Sequence, residues 1–91
     1  MDEAHLLESR WQEILDFEKE IELQPSRSTV RKERAIRERF GVSAARYHQV
    51  LGRLLEGQDA FRYDPVLVQR LTRVREARRA KRFARRLGLE G

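Results

Sequence analysis

The fold is organised around one stretch, Val30 to Leu55, which reads VRKERAIRERFGVSAARYHQVLGRLL. Its first part carries Ile36 and Phe40 four residues apart, the spacing of one helix face, and then reaches Gly41. Glycine takes the left-handed backbone conformation that ends many helices without the strain that a side chain would cause. The stretch therefore predicts one helix that ends at Gly41 and a second helix beyond it.

The second helix is expected to begin at Ser43, because its hydroxyl can accept a hydrogen bond from a free backbone N–H near Arg46. Val42 and Tyr47 then have the spacing of a hydrophobic staple, which fixes the angle between the two helices. From there apolar residues recur at helical period and predict a buried stripe formed by Tyr47, Val50, Leu51 and Leu54.

This order resembles the DNA-binding helix-turn-helix of bacterial regulators and of the promoter-reading domain of sigma factors. The resemblance is carried by the glycine in the turn and by four positions of buried type, Ile36, Val42, Tyr47 and Val50. Arg37 departs from the pattern, which usually has a small residue there, and its side chain is expected to reach outward into solvent. The resemblance implies that the second helix enters the major groove of DNA. Two helices of a plain bundle are the alternative interpretation.

The face opposite the buried stripe carries the side chains that we expect to meet base edges, namely Ala45, Arg46 and Gln49, with His48 at its flank. Arg46 could fork onto guanine and Gln49 onto adenine. Gly52 is placed on the same face, and such small residues carry little hydrogen-bond information, so modest sequence specificity is expected. Other basic side chains are expected to hold DNA phosphates without reading sequence: Lys32, Arg34, Arg39, Arg53, Arg78, Arg79, Lys81, Arg82, Arg85 and Arg86.

Charge is distributed unevenly along the chain, which carries a formal net charge of +5. Residues 1–24 hold eight acidic and two basic side chains, a net charge of −6. Residues 25–63 have a net charge of +5 and residues 64–91 a net charge of +6. This asymmetry indicates that the basic part binds a polyanion.

The acidic segment 1–24 predicts an amphipathic helix, since apolar residues including Trp11 and Ile14 recur at steps of three and four. The favoured interpretation is that this apolar face closes the core over the two central helices. The alternative is that part of it forms a homodimer or partner surface. Its acidic side chains could also pair with the basic helices. A polar linker, with Pro25 ending the helix and Ser26, Ser28 or Thr29 capping the next one, is expected to follow.

After a turn at 56–59 and a short connection at 60–63, residues 64–87 predict a long helix capped by Asp64, with Pro65 in its first turn and Gly88 after its end. Its first half carries a core stripe of Leu67, Leu71 and Val74. Its second half, EARRAKRFARRL, offers mainly alanine between arginines, whose planar guanidinium groups suit phosphate oxygens. We interpret this half as an arm that grips a nucleic-acid backbone and expect it to fray from about residue 78.

From Ala35 onward the chain also resembles a family of small, uncharacterised actinobacterial proteins. The resemblance is carried by AIRERFGVSAARYHQVL and by a later Asp-Pro-x-Leu-Val-x-Arg-Leu segment, here Asp64, Pro65, Leu67, Val68, Arg70 and Leu71. It implies an all-helical fold and an actinobacterial, cytoplasmic origin, and it supplies no function.

The sequence offers no catalytic or metal-binding constellation, so we expect neither an enzyme nor a cofactor. His5 and His48 are not in a metal-ligand spacing, and the 91 residues contain no cysteine. The chain has no apolar run of membrane-spanning length and no signal peptide, and we expect a cytoplasmic protein at the nucleoid.

Together these features predict an all-α, four-helix single domain over residues 1–91, with helices near 3–23, 28–40, 43–55 and 65–87. The helix-turn-helix occupies 28–55 and the Arg-rich helix 64–87. The predicted function is binding of double-stranded DNA as a small transcriptional or nucleoid-associated regulator. Two alternatives are an adaptor that docks on RNA polymerase, a sigma factor or another transcription protein, and RNA binding through the Arg-rich helix.

Overall fold

Six α-helices run through the residues that the computed structural model describes, which are 3–24 and 29–88. They are α1 (Glu3–Glu8), α2 (Trp11–Glu22), α3 (Thr29–Phe40), α4 (Ala44–Glu56), α5 (Gln58–Tyr63) and α6 (Pro65–Arg86). No strand occurs within these ranges. The all-α prediction is therefore confirmed, whereas the prediction of four helices is wrong at two places.

The first difference lies in the acidic segment, where the expected single helix is interrupted between α1 and α2. The Ser9 hydroxyl donates to the Leu6 carbonyl oxygen at 2.6 Å, and the backbone N–H of Arg10 donates to the Leu7 carbonyl oxygen at 3.0 Å. A serine that bonds to the preceding turn in this way competes with the regular helix pattern. The break turns α1 so that it packs against α4 and buries Leu7.

The second difference is α5, which replaces the turn and connection expected between α4 and α6. Gly57 alone breaks the chain with extended backbone, and Gln58 already begins α5. This short helix buries Ala60 and packs against α2. There the Trp11 and Tyr63 rings meet edge to face, with their centroids 5.5 Å apart.

The corner between α3 and α4 follows the sequence. Gly41 has a φ of +69°, a left-handed conformation, and its N–H donates to the Arg37 carbonyl oxygen at 2.9 Å. The Ser43 hydroxyl accepts from the backbone N–H of Arg46 at 3.2 Å, as the capping prediction requires. Val42 is buried in the core, and the Arg37 side chain is exposed.

The ends of α6 also agree with the sequence. The Asp64 carboxylate accepts from the backbone N–H of Leu67 at 3.2 Å, and Pro65 is the first residue of the helix. After Arg86 the helix closes at Leu87, and Gly88 has a φ of +72°. The linker predicted between α2 and α3, with Pro25 and the caps Ser26 and Ser28, lies outside the described residues. Thr29 is the first described residue of α3.

One apolar core joins the helices. Three aromatic rings, those of Phe17, Phe40 and Tyr47, pack together with centroid distances of 5.4–5.8 Å. The other buried apolar side chains are Leu7, Ile14, Leu15, Ile36, Val42, Val50, Leu51, Leu55, Ala60, Leu67, Val68 and Leu71. The acidic segment thus supplies core residues, in agreement with the favoured interpretation.

The predicted core is wrong at its margins. Trp11 and Leu54 are half-buried and pack against the core rather than within it. Val74 is 39% exposed, so the core stripe of α6 ends at Leu71. On α4 the buried face extends past Tyr47 and Val50 towards Leu51, Gly52 and Leu55. Among residues 3–24 and 29–88, no helix combines the length and the apolar character needed to cross a membrane.

Candidate nucleic-acid interface

The acidic side chains of α1 and α2 from Glu8 to Glu22 are engaged within the chain. Four of them pair with basic residues from other helices: Glu8 with Arg53 at 3.1 Å, Glu18 with Lys32 at 3.2 Å, Glu20 with Arg39 at 3.3 Å and Glu22 with Arg70 at 2.7 Å. Glu13 pairs with Arg10 beside it at 2.7 Å, and Asp16 accepts from the Tyr63 hydroxyl at 2.9 Å. The acidic segment therefore neutralises part of the basic surface.

This pairing changes the interpretation of three predicted phosphate contacts, because Lys32, Arg39 and Arg53 each hold an acidic partner. Lys32 is also half-buried. A cation that is already paired with a carboxylate contributes less to phosphate binding than an unpaired cation does, since the carboxylate and the phosphate compete for it. Arg34, by contrast, is exposed and has no ion-pair partner among the described residues.

One of these pairs is built into the core. The Glu18 side chain is almost fully buried, and its carboxylate accepts from the Tyr47 hydroxyl at 2.5 Å and from the Lys32 ammonium at 3.2 Å. Burial, followed by the charge of Glu18 and the hydrogen bond to it, raises the pKa of Tyr47 far above its ordinary value. Tyr47 therefore stays a hydrogen-bond donor, and the three side chains tie α2, α3 and α4 together.

The outer face of α4 is formed by Ala45, Arg46 and Gln49, which are all exposed. The Arg46 guanidinium has no ion pair, and the Gln49 amide no hydrogen bond, within the described ranges. Both lie in the first half of the helix that follows the Gly41 corner. Three of the four side chains expected to meet base edges thus share one open face.

The fourth, His48, lies on another side of α4. Burial, and after it the nearby charges of Lys32, Arg78 and Arg75, lower the pKa of His48, although Glu18 acts in the opposite direction. One part of the imidazole remains open to solvent, and its edge meets the Tyr47 ring at a centroid distance of 5.3 Å. His48 thus faces the basic residues of α3 and α6 rather than the outer face.

Gly52 is also misplaced by the sequence prediction, which put it on the open face. It is buried, and the Arg75 guanidinium lies across it and donates to its carbonyl oxygen at 3.5 Å. A Cβ at this position would stand 2.7 Å from the Arg75 guanidinium nitrogen Nη2. Glycine here leaves room for the Arg75 side chain of α6 to lie against α4, which gives a packing reason for a glycine in the middle of a helix.

The basic arm is the end of α6 from Arg78 to Arg86. It holds six basic side chains and no acidic one, and each of those side chains is exposed. No ion pair within the described residues involves Arg78, Arg79, Lys81, Arg82 or Arg86. The arm therefore presents concentrated positive charge to solvent.

The arm and α4 are neighbours. Arg75, three residues before the arm, covers Gly52, and Arg78 is close enough to His48 to lower its pKa. Because α6 is helical through this region, the arm extends from the side of α4 as a rod of roughly 12 Å at 1.5 Å per residue. The start of the arm thus lies beside the part of α4 that carries His48 and Gly52.

Sequence reasoning missed Glu18 and Gly52, and each left a signal. Glu18 lies four residues after Ile14 and three after Leu15, on the apolar face of α2, where an acidic residue needs a buried partner. An isolated glycine inside a helical pattern lowers helix propensity and therefore points to a packing or functional reason at that position. Within the described ranges, no group of three histidine, cysteine, aspartate or glutamate residues could hold a metal ion.

Comparison with protein families gives one match, which covers residues 6–83 and thus most of the chain. The matching family, DUF3263, is described as a protein of unknown function, and the chain belongs to it. This confirms the expected relation to an uncharacterised family. No curated protein and no solved structure shows a significant match.

Proposed function

For this member of the DUF3263 family, we propose binding of double-stranded DNA, with the outer face of α4 towards the major groove and the basic arm on phosphates. The observation that carries the proposal is the charge left after internal pairing. Four acidic residues of α1 and α2 neutralise other cations, whereas five basic side chains of the arm have no ion-pair partner among the described residues, namely Arg78, Arg79, Lys81, Arg82 and Arg86. When such a cluster of cations binds a polyanion, the condensed counterions of the polyanion are released, and this release favours binding.

The corner between α3 and α4 supports the choice of duplex DNA. The left-handed Gly41, the Ser43 cap and the buried Val42 and Tyr47 agree with the residues on which the likeness to a helix-turn-helix rests. In that arrangement the first half of the second helix meets base edges. Arg46 and Gln49 have side chains that can bond to guanine and adenine.

The expected specificity is modest. Only two polar side chains of the outer face reach far enough to read bases, because Ala45 is small and His48 lies beside α6. Most of the affinity then comes from phosphate contacts of the arm and of Arg34, which position the protein without reading sequence. These features favour a small transcriptional or nucleoid-associated regulator, and we propose the nucleoid as its location.

Two other partners are outcomes of the same test. An adaptor for transcription proteins would use the acidic helix, but its described acidic side chains from Glu8 to Glu22 already contact the rest of the chain. The arm could also bind RNA, since Arg-rich segments bind RNA. Neither has an observation in its favour beyond those that favour DNA.

The proposal is tested by fluorescence anisotropy with a mixed-sequence duplex of about 20 base pairs at low salt, beside a single-stranded RNA of the same length. We expect the chain to bind the duplex and the double variant Arg79→Gln, Arg82→Gln to bind it more weakly. The matched control is Arg62→Gln with Arg73→Gln, which removes the same charge from exposed cations of α5 and α6 that lie outside the arm and have no ion-pair partner among the described residues. Equal weakening in both variants would show that net charge alone governs affinity, and preference for RNA or no binding would overturn the proposal.

A further inference from the structure

A pocket of about 270 Å³ opens between the end of α2, the start of α3, α4 and α6. This volume is slightly below the usual range for small-molecule sites, about 300–1,000 Å³, so the pocket suits a small ligand. Its lining combines basic and apolar side chains. The basic ones are Arg31, Lys32, Arg75 and Arg78, and the apolar ones are Ile21, Leu51, Leu55, Leu71 and Val74.

The polar side of the pocket is positive. Two acidic residues, Glu18 and Glu22, stand against its four basic ones, and both are already bound, Glu18 to Lys32 and Tyr47 and Glu22 to Arg70. Neither Arg75 nor Arg78 has an ion-pair partner among the described residues. The first turn of α3 contains no acidic residue, so the positive end of that helix dipole adds to the field.

The other side of the pocket is apolar. Leu51, Leu55 and Leu71 are core residues whose outer surfaces line it, and Val74 is 39% exposed beside them. Binding is favoured when an apolar group of a ligand displaces water from an apolar surface of this kind. A bare inorganic anion would leave this surface wet, whereas an uncharged apolar molecule would leave the cations without a partner.

Arg75 is held at the pocket by the shape of α4. Its guanidinium passes over Gly52, where a Cβ would stand 2.7 Å from its nitrogen Nη2, and it donates weakly to the Gly52 carbonyl oxygen. That bond is long at 3.5 Å and uses one nitrogen, Nη1, so donors remain for a ligand. The absence of a side chain at Gly52 thus positions a basic group over an apolar surface.

We propose that this pocket binds a small organic anion with a carboxylate or phosphate head and an aryl or short acyl body. The head lies between Arg75, Arg78 and His48, and the body lies on Leu51, Leu71 and Val74. The site goes beyond DNA binding and does not depend on it, because the lining residues and the distal part of the arm are different side chains.

The test is an NMR titration of the full chain with benzoate and with phenyl phosphate. Two further probes test the ring and the charge separately: benzyl alcohol has the ring without the charge, and inorganic phosphate has the charge without the ring. We expect saturable shifts at His48, Leu51, Leu71 and Val74 with at least one aryl anion, and weaker binding by about tenfold or more for both further probes.

Variants locate the site. The double variant Arg75→Gln, Arg78→Gln should lower the affinity for the aryl anion by about tenfold. Gly52→Ala should also lower this affinity, because the added methyl group displaces Arg75, while the helix α4 stays at least as stable. Arg79→Gln with Arg82→Gln removes the same charge outside the pocket and should bind the aryl anion as the wild type does. This last pair is expected to lose DNA affinity, so the failure of one proposal is distinguishable from that of the other.

Three results would overturn the pocket proposal. One is the absence of any saturable shift with either aryl anion up to about 10 mM, a concentration that detects even millimolar affinity. Another is inorganic phosphate binding as tightly as phenyl phosphate, which would show that the apolar side is not used. The third is equal weakening in the pocket and arm variants, which would show a general response to charge.

Discussion

At the scale of single residues, the buried carboxylate of Glu18 matters for stability. It is a charged group in the core, and it is tolerated because the Tyr47 hydroxyl and the Lys32 ammonium both donate to it. Removing one partner leaves a buried charge less well satisfied, which costs more free energy than the net gain of one exposed hydrogen bond.

Tyr47→Phe should therefore lower the free energy of unfolding by about 1–3 kcal/mol, measured by denaturant titration. Tyr63→Phe is the matched control, because it removes a hydroxyl that bonds to Asp16 at the surface, and it should change stability by less than about 0.5 kcal/mol. Equal effects of the two variants would contradict the account of Glu18.

His48 provides a prediction about pH. Its pKa is lowered in the folded state, by burial first and then by Lys32, Arg78 and Arg75, with Glu18 opposing them. As pH falls through the ordinary pKa of about 6.5, the His48 imidazole of the unfolded chain takes up a proton. The imidazole of the folded chain does so only at a lower pH. This histidine therefore contributes stability that is present above that pH and is lost as pH falls towards the folded-state pKa.

An NMR titration of the imidazole signal should give a midpoint below about 6.5, with His5→Gln used to assign the two histidines. The His48→Gln variant should lose less stability than the wild type between neutral pH and about pH 5.5. A midpoint at or above the ordinary value would show that His48 does not lie among the cations of α3 and α6.

At the scale of helices, the sequence predicts boundaries well where capping chemistry is local. Gly41, Ser43, Asp64 and Gly88 have the roles expected of them, because each acts on backbone groups within four residues. The break at Ser9 and the helix α5 were missed, because their local signals, a serine and a glycine, do not decide the course of the chain without the contacts of α1 with α4 and of α5 with α2. Propensity carries little information about such tertiary choices.

The direction in which α4 faces gives the next prediction. The sequence predicted both Leu51 and Leu54 on the buried stripe; Leu51 is buried as predicted, whereas Leu54 is only half-buried. Leu51→Ala should lower the free energy of unfolding by about 2–5 kcal/mol, and Leu54→Ala should lower it by clearly less. A larger decrease for the Leu54 variant, again by denaturant titration, would contradict the observed face of α4.

The arm gives a prediction about local stability. No residue of α6 after Leu71 is buried, and its arginines repel one another, while short isolated helices are marginal in water. Amide hydrogens beyond Arg78 should exchange with solvent far faster than those of residues 67–71, and duplex DNA should slow that exchange. Exchange in the arm as slow as at Leu71 would show that other contacts hold it.

At the scale of the whole molecule, the uneven distribution of acidic and basic residues along the chain has two consequences. Part of this charge holds the fold together, because acidic side chains of α1 and α2 pair with basic ones of α3, α4 and α6. The sequence predicted the two charged regions but not which cations pair, since pairing depends on how the helices pack. Five cations of the arm have no ion-pair partner among the described residues, and they are the basis of the DNA proposal.

The most direct measurement of that proposal is duplex affinity across a salt series, for the full chain and for a chain ending at Ala77. The shorter chain lacks the six basic side chains of the arm and should keep the melting temperature of the core, because residues 78–86 bury little. We predict that the full chain binds duplex DNA with log affinity falling linearly with log salt, and that truncation reduces the slope by up to about 0.9 for each phosphate that the arm neutralises in the full chain. No binding by the full chain at low salt, or an unaltered slope after truncation, would contradict the account.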